Sequence, residues 1–347
     1  MDFLLYGANG YTAQLMLPLL RHYGLTPVLA GRSADKVKPL AREYGLEYRI
    51  FDLADKAATR SALADVPLVL HCAGPFSHTA RPMLEACLDT RTHYLDITGE
   101  IAVFELAASL NDRAREQGIT LLPGSGFDVV PTDCLAAFLH RQLPDATHLA
   151  LAFANVGGGL SQGTARTMAE GLGDGGAMRR DGRIVAVPLG HRAMEVDFGG
   201  LRRFVMAIPW GDVATAFYTT GIPNIETFTT VHPRTYRRLR WQKAFNWLLR
   251  TKMARNFIKK RIAKRAPGPS ANRRATAQTY VWGEVRNAVG TIRQARLRTP
   301  EGYTLTAHSA LILTKKILVG AGKPGFWTPA GLFGPDLVLE VPGVERF

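Results

Sequence analysis

The sequence predicts an α/β fold: a doubly wound parallel sheet plus a second mixed α/β domain with a largely antiparallel sheet. Three observations carry this. A short apolar run meets a glycine turn and then a helical pattern at the amino terminus, strand-like and helix-like stretches alternate from there to about residue 145, and short strands then follow one another with a hairpin signal.

The opening run Asp2-Phe3-Leu4-Leu5-Tyr6 has no helical period and reads as a buried strand. It runs into Gly7-Ala8-Asn9-Gly10-Tyr11-Thr12-Ala13 and then the apolar Leu15, Met16, Leu17, Leu19 and Leu20 of a helix. Strand, glycine turn and helix form the context of a nucleotide fingerprint. Gly7 permits the tight turn, Gly10 lets the backbone approach a diphosphate, and Ala13 in the third place lets the helix pack near the strand. Asn9, Tyr11 and Thr12 complete the turn, and the helix start offers unpaired N–H groups to an anion.

The second strand ends in Gly31-Arg32-Ser33. An NAD-selective domain would place an acidic residue there to hold the ribose 2′-hydroxyl, whereas an arginine offers a forked donor to a 2′-phosphate. NADP(H) is the cofactor this implies.

Further strands are read in EYRIFDL, ending in Asp52 near the adenine position, VPLVLHCAGPF, THYLDITGE and GITLLPGSGFD. Helices lie between them at 34–44, 80–90 and 102–117. A ligand of such a Rossmann sheet sits beyond the carboxyl ends of its strands. The candidates are therefore Ala73, Gly74, Pro75, Phe76 and His78 after the fourth strand, Asp96, Thr98, Gly99 and Glu100 after the fifth, and residues 124–128 after the sixth. Among them His78, Asp96 and Asp128 are the candidate proton-transfer groups. Each has a structural alternative: His78 capping a helix that starts near Thr79, Asp96 tying strand to loop, and Asp128 holding its turn.

The runs HCAGPFSHTARPMLEACLDTRTHYLDITGE, PGSGFDVVPTD and GFWTPAGLFGPDLVLEVPGVER resemble the saccharopine dehydrogenase-like oxidoreductases, and within them the trans-acting enoyl reductases. The resemblance implies an NADP-binding Rossmann domain, a second mixed domain over it, and reduction of a C=N or C=C bond. It also implies that Ala73-Gly74-Pro75-Phe76 runs beside the nicotinamide, with Phe76 walling the ring. A non-catalytic NADP(H)-binding sensor is the alternative, since a nucleotide fold alone proves binding rather than turnover.

Other enzyme classes fit less well. None of the ten tyrosines has a lysine four residues on, as short-chain dehydrogenases require. Cys72, Cys87 and Cys134 are widely spaced and odd in number, so they read as buried thiols rather than a disulfide framework or metal cluster, and no metal is expected.

The second half reads as strands at 148–154, 183–187, 203–208, 213–219 and 225–231, then a hairpin around Asn287 to Gly290. The glycine-rich GGGLSQGTARTMAEGL enters a helix, where Ser161, Gly163 and Thr164 either face an anionic substrate group or simply cap it. After Gly302 an apolar helix returns the chain to the first domain. The expected organisation is 1–145 for the NADP-binding domain, 146–302 for the substrate domain, and 303–347 for a helix and tail returning to the first.

With 347 residues, 46% apolar and 21% charged, the chain suffices for roughly two cores. No apolar run approaches the roughly 18 residues of a spanning helix, and no cationic region precedes an apolar one at the amino terminus. A cytoplasmic protein is the expectation, with a peripheral place at the inner membrane face as its variant. The net charge of +14 is local. Between Glu226 and Glu284 lie 15 of the 43 basic residues and no acid, leaving 28 basic residues against 29 acidic ones elsewhere. Within the basic stretch 233–265, Trp241, Phe245, Leu248 and Leu249 share a helical face opposite Lys243, Asn246 and Arg250, and beyond Lys252 the apolar set Met253, Phe257 and Ile258 shifts round. Two amphipathic pieces out of phase fit this better than one helix. An anionic membrane surface or an acidic acyl carrier suits such a segment, as does a plain solvated face packed on the second domain, while no nucleic-acid motif is present. A lipid-like or other small-molecule substrate and a homodimer complete the expected partners.

Overall fold

The strand β1 (Asp2–Tyr6) buries Phe3, Leu4, Leu5 and Tyr6 because it lies at the centre of its sheet, paired in parallel with β2 (Thr26–Gly31) and β4 (Leu68–His71). An apolar run without alternation is what a strand covered on both faces needs. With β3 (Tyr48–Ile50), β5 (His93–Asp96) and β6 (Thr120–Leu122) the order is β3-β2-β1-β4-β5-β6, all parallel. A seventh short strand, β15 (Gly325–Phe326), extends the sheet beside β6. This is the Rossmann order, whose reversal between β1 and β4 leaves a crevice beyond the strand ends. The first helix is built in pieces: Tyr11–Met16, a 3₁₀ turn Leu17–Leu19 containing Pro18, and Leu20–Tyr23, closed by Gly24 in the left-handed conformation.

The computed structural model describes residues 2–171, 173–241, 251–262, 264 and 266–347. They form two units, Met1–Val130 with Tyr303–Phe333, and Pro131–Gly302 with Gly334–Phe347. The apolar helix Gly302–Lys316 belongs with the nucleotide sheet, where Phe127 N–H donates to Thr306 Oγ1 and Ser309 Oγ to the Ser125 carbonyl. The final segment differs from the sequence reading. Its strand β16 (Glu345–Arg346) pairs with β14 (Ile292–Pro300), which puts the last residues in the second unit.

The second sheet runs β10 (Ala193–Asp197), β11 (Arg202–Ala207), β12 (Asn224–Thr230), β7 (Ala146–Val156), β13 (Gln278–Asn287), β14 and β16, with β8 (Gly176–Arg180) paired to β12 and to β9 (Arg183–Val187). The described pairings are antiparallel apart from β12 with β7. The hairpin turn falls after Asn287, as its Asn and Gly residues predict. One strand expectation is corrected: 213–219 lies in a helix, Asp212–Thr220, that buries Val213, Ala214, Thr215 and Ala216 and stops at left-handed Gly221. Val and Thr disfavour a helix by only a few tenths of a kcal/mol each, less than this burial recovers. Strands β8 and β10 went unread because their basic and acidic residues hide any alternation.

The basic stretch contains the helices Pro233–Trp241 and Lys252–Ile262. Lys243, Phe245, Asn246, Leu248, Leu249, Arg250 and Arg265 lie outside the described residues, as do the side chains of Trp241, Ile258 and Lys259.

Candidate functional site

At the end of β1 the chain turns at Gly7, whose φ is +82°. A Cβ there would stand 2.8 Å from the Ala73 nitrogen and 2.9 Å from the Ala73 Cβ, so glycine is required twice, by conformation and by the passing β4 segment. The N–H groups of Gly7 and Ala8 donate to the Ala30 carbonyl, and Gly10 N–H donates back to Gly7. The helix starting at Tyr11 has no side-chain cap at Gly10, and the Thr12 and Ala13 amides have no acceptor among the described residues. Orphan first-turn donors in a glycine turn suit a diphosphate. Asn9 faces the end of β2, where its Oδ1 lies 3.5 Å from the place a Gly31 side chain would begin.

Arg32 follows directly, exposed, and its guanidinium makes no hydrogen bond or ion pair among the described residues. Ser33 precedes the helix Ala34–Tyr44 without capping it through its hydroxyl. A forked cation and a hydroxyl at a helix start are the chemistry a 2′-phosphate would need. Asp52, past the end of β3, accepts from Ala54 N–H at 3.0 Å and lies near Tyr6. Burial, with the Asp52 charge second, pushes the Tyr6 phenol up to about 12.

Contacts lead from this turn across the crevice. Ala73 touches Gly7, and Gly74 and Pro75 carry the chain into the helix Phe76–Thr90. The first two amides of that helix, Phe76 N–H and Ser77 N–H, donate to the Glu100 carboxylate at 2.7 and 2.8 Å. Glu100 thus fills the anion site of this helix, pins the loop after β4 to the loop after β5, and satisfies donors that a ligand would otherwise meet. The Phe76 ring is buried in the core, edge-on to His71 at 5.2 Å. His78 is exposed within the first turn of the helix, which starts at Phe76 rather than near Thr79.

The two aspartates lie in contrasting surroundings. Asp96 is fully buried and its acceptor positions are taken: Tyr94 OH donates at 2.6 Å, Thr98 N–H at 2.9 Å and Gly124 N–H at 2.8 Å. Burial raises its pKa to about 6 against these stabilising donors. It ties β5 to the loop after β6. Asp128, half-buried, receives no hydrogen bond among the described residues. Its carboxyl group lies against the bare Cα of Gly99, where an added Cβ would stand 2.6 Å from Oδ2. Burial, reinforced by the Glu100 charge, pushes its pKa up to about 7. An unsolicited carboxyl group poised at neutral pH in a strand-end crevice has the properties of a proton donor.

Two residues escaped the sequence reading of roles. Glu100 was visible only as one ionisable group among several, because its partners lie 24 and 23 positions away. His71, buried on β4, has Nε2 at 3.0 Å from Thr79 Oγ1, and that hydroxyl donates to the Ala73 carbonyl, so His71 donates through Nε2. Burial drives its pKa down to about 3, which keeps it neutral. It braces the Ala73 loop from beneath. Cys72 and Cys87 are held as thiols by burial, and no group of three or more metal-ligating side chains occurs among the described residues.

A Rossmann sheet with an uncapped glycine turn at the end of its first strand defines the class, a dinucleotide-binding domain. Residues 3–122 match the family model described as saccharopine dehydrogenase NADP binding domain, and the cofactor is NADP(H). The residues present fit the cofactor, through the orphan amides of Thr12 and Ala13 and the unengaged Arg32 and Ser33. Among curated proteins, the mouse saccharopine dehydrogenase-like oxidoreductase is 26% identical over 204 residues, 51% of this chain and 47% of its own length. A trans-acting enoyl reductase of Mycobacterium bovis is 29% identical over 151 residues, 41% of this chain and 36% of its own. The chain thus spans about half, or less, of the length of the curated relatives it matches. In fold it is similar to apo saccharopine dehydrogenase of Saccharomyces cerevisiae, TM-score 0.67 at 14% identity over 100% of this chain and 99% of that one. Legionella pneumophila homospermidine synthase in complex with NAD gives 0.65 at 10% identity, over 100% and 91%.

Proposed function

We propose that the chain is an NADPH-dependent oxidoreductase that saturates a C=N or C=C bond, in an acyl or polyketide-type lipid. Its relatives, a saccharopine dehydrogenase-like oxidoreductase and a trans-acting enoyl reductase, support an oxidoreductase, and the crevice supports a reduction completed by a proton. NADPH, when bound, supplies the hydride. The chain's own residues do the rest: the Gly7 to Ala13 turn holds the diphosphate, Arg32 and Ser33 hold the 2′-phosphate, and Glu100 and His71 fix the Ala73 to Phe76 loop beside the reacting end.

One observation carries the reading: Asp128, with no donor to its carboxyl group among the described residues, stands at the end of a path that runs from Gly7 through Ala73, Phe76 and Glu100. Protonated at Oδ2, it delivers the proton that accompanies hydride addition, to nitrogen in an imine or to carbon in an enoyl thioester. Asp96 holds the loop that presents Asp128, and His78 remains a candidate at the mouth. Attachment to a membrane face is the location a lipid substrate calls for.

The test is NADPH oxidation measured against enoyl thioesters and imines, with Asp128→Asn as the decisive variant. It should lose roughly 10²- to 10⁴-fold in kcat with NADPH affinity unchanged. The wild-type rate should fall as pH rises past about 7, where Asp128 gives up its proton. NADPH binding without turnover of any of these substrates would leave the sensor reading in place.

A further inference from the structure

The helix Lys252–Ile262 packs on the helix Gln162–Glu170 through Ile262, which forms a small buried cluster with Ala165 and Ala169. At 100° per residue, Met253 and Phe257 fall within about 40° of each other, Lys260 lies on the same face, and Ile262, nine positions from Met253, points the opposite way. Met253 and Phe257 therefore face outward while Ile262 faces in. Met253 is 83% exposed and Phe257 59%, and Met168 on the neighbouring helix is 60% exposed. Arg261 extends its guanidinium over the Phe257 ring at 5.2 Å, and Lys260 and Lys264 are exposed. No acidic residue occurs from 227 to 283, so nothing in this stretch neutralises the surface.

An ordinary solvated helix turns its apolar residues inward and its charges outward. Here apolar and cationic groups share the outward face, and that pairing selects the occupant. A purely acidic protein would satisfy the cations but gain nothing from Met253 and Phe257, whereas an anionic bilayer offers phosphate at the level of the lysines and acyl chains just beneath. We propose that the face carrying Met253, Phe257, Lys260, Arg261 and Lys264 docks on an anionic membrane surface, with Met253 and Phe257 entering the headgroup boundary. The proposal is read from this face alone and does not need the reductase assignment.

The test is sedimentation of the full chain with vesicles of phosphatidylcholine containing phosphatidylglycerol, against vesicles of phosphatidylcholine alone. Two variants are compared with wild type: Met253→Ser with Phe257→Ser, and Lys260→Glu with Arg261→Glu and Lys264→Glu. All five positions are exposed or outward-facing, so folding should be retained, and thermal melting checks it. Wild type should bind the anionic vesicles at least tenfold better than the neutral ones, each variant should lose at least roughly tenfold, and raised salt should release the wild type. Equal partitioning onto both vesicles, no binding, or variants that bind like wild type would overturn the proposal. So would a dimer in sedimentation velocity that the serine variant abolishes, since the face would then serve a second copy. Vesicle binding is measured without turnover, so its failure is separable from failure of the reductase reading.

Discussion

Two glycine-rich turns lead into helices in this protein, and they treat the first helical turn in opposite ways. In the second unit, Ser161 closes the GGGLSQG stretch by accepting Thr164 N–H at 3.1 Å, while Gln162 N–H donates to the Pro267 carbonyl at 2.9 Å. That helix supplies its own acceptors. In the first unit, Gly10 occupies the capping position without a side chain, and the Thr12 and Ala13 amides keep their donors for a visitor. A helix start becomes a ligand site when the chain withholds the cap that would stabilise it by about 1 kcal/mol. The anionic-substrate role considered for Ser161 and Thr164 is thus weakened by a contact internal to the turn.

Exchanging the caps should break the comparison most sharply. Gly10→Asp places a carboxylate where the diphosphate would sit, at a backbone conformation any residue accepts, with only a 3.0 Å approach to the Gly7 carbonyl to relieve. NADPH affinity by calorimetry should fall by roughly 100-fold or more, since two charge-assisted hydrogen bonds at about 1.5 kcal/mol or more each are lost and a repulsion is added. Arg32→Gln should have the next largest effect, with roughly ten- to 100-fold weaker NADPH binding and little change for NADH. A variant that keeps its preference for NADPH would remove Arg32 from the 2′-phosphate site.

Ser161→Ala should be the mildest. It should cost about 1 kcal/mol of stability in chemical denaturation and leave NADPH affinity untouched. A drop in cofactor or substrate affinity would return that turn to the functional side of the comparison.

The pH dependence sharpens the contrast between the two aspartates. Asp96 and Asp128 have folded pKa values raised to about 6 and about 7, above their ordinary carboxyl value. Their protons bind the folded state more tightly than the unfolded one, so this contribution to stability is full below about pH 4 and is lost as pH rises through 6 to 7. His71 works in the other direction. Its folded pKa of about 3 lies below the ordinary 6.5, so its contribution is present above pH 6.5 and is lost as pH falls toward 3. Asp128→Asn should therefore flatten the decline between pH 5 and 8 measured by denaturant titration, whereas loss of acid sensitivity below pH 6 should require removal of His71.

Much of the first unit was legible because its signals are local. The strand β1, the Gly7 turn and the helix that follows are contiguous, and Arg32 sits directly after its strand, so period, glycine positions and charge could be read together. The helix Asp212–Thr220 was misread because its valine and threonines favour a strand locally while burial against its own unit favours a helix.

Within the crevice, the residue types at the strand ends were set by the sequence, and their roles were decided by the fold. Asp96 and Asp128 look equivalent in a string of letters. Tyr94, Thr98 and Gly124 converge on the first, whereas the second lies against the bare Gly99 and receives no hydrogen bond among the described residues, because parallel strands bring together loops separated by a whole helix. Periodicity and turn chemistry act over a few residues and are written in order along the chain. Hydrogen-bond satisfaction and burial depend on neighbours distant in that order, so they exist only once the sheet has formed.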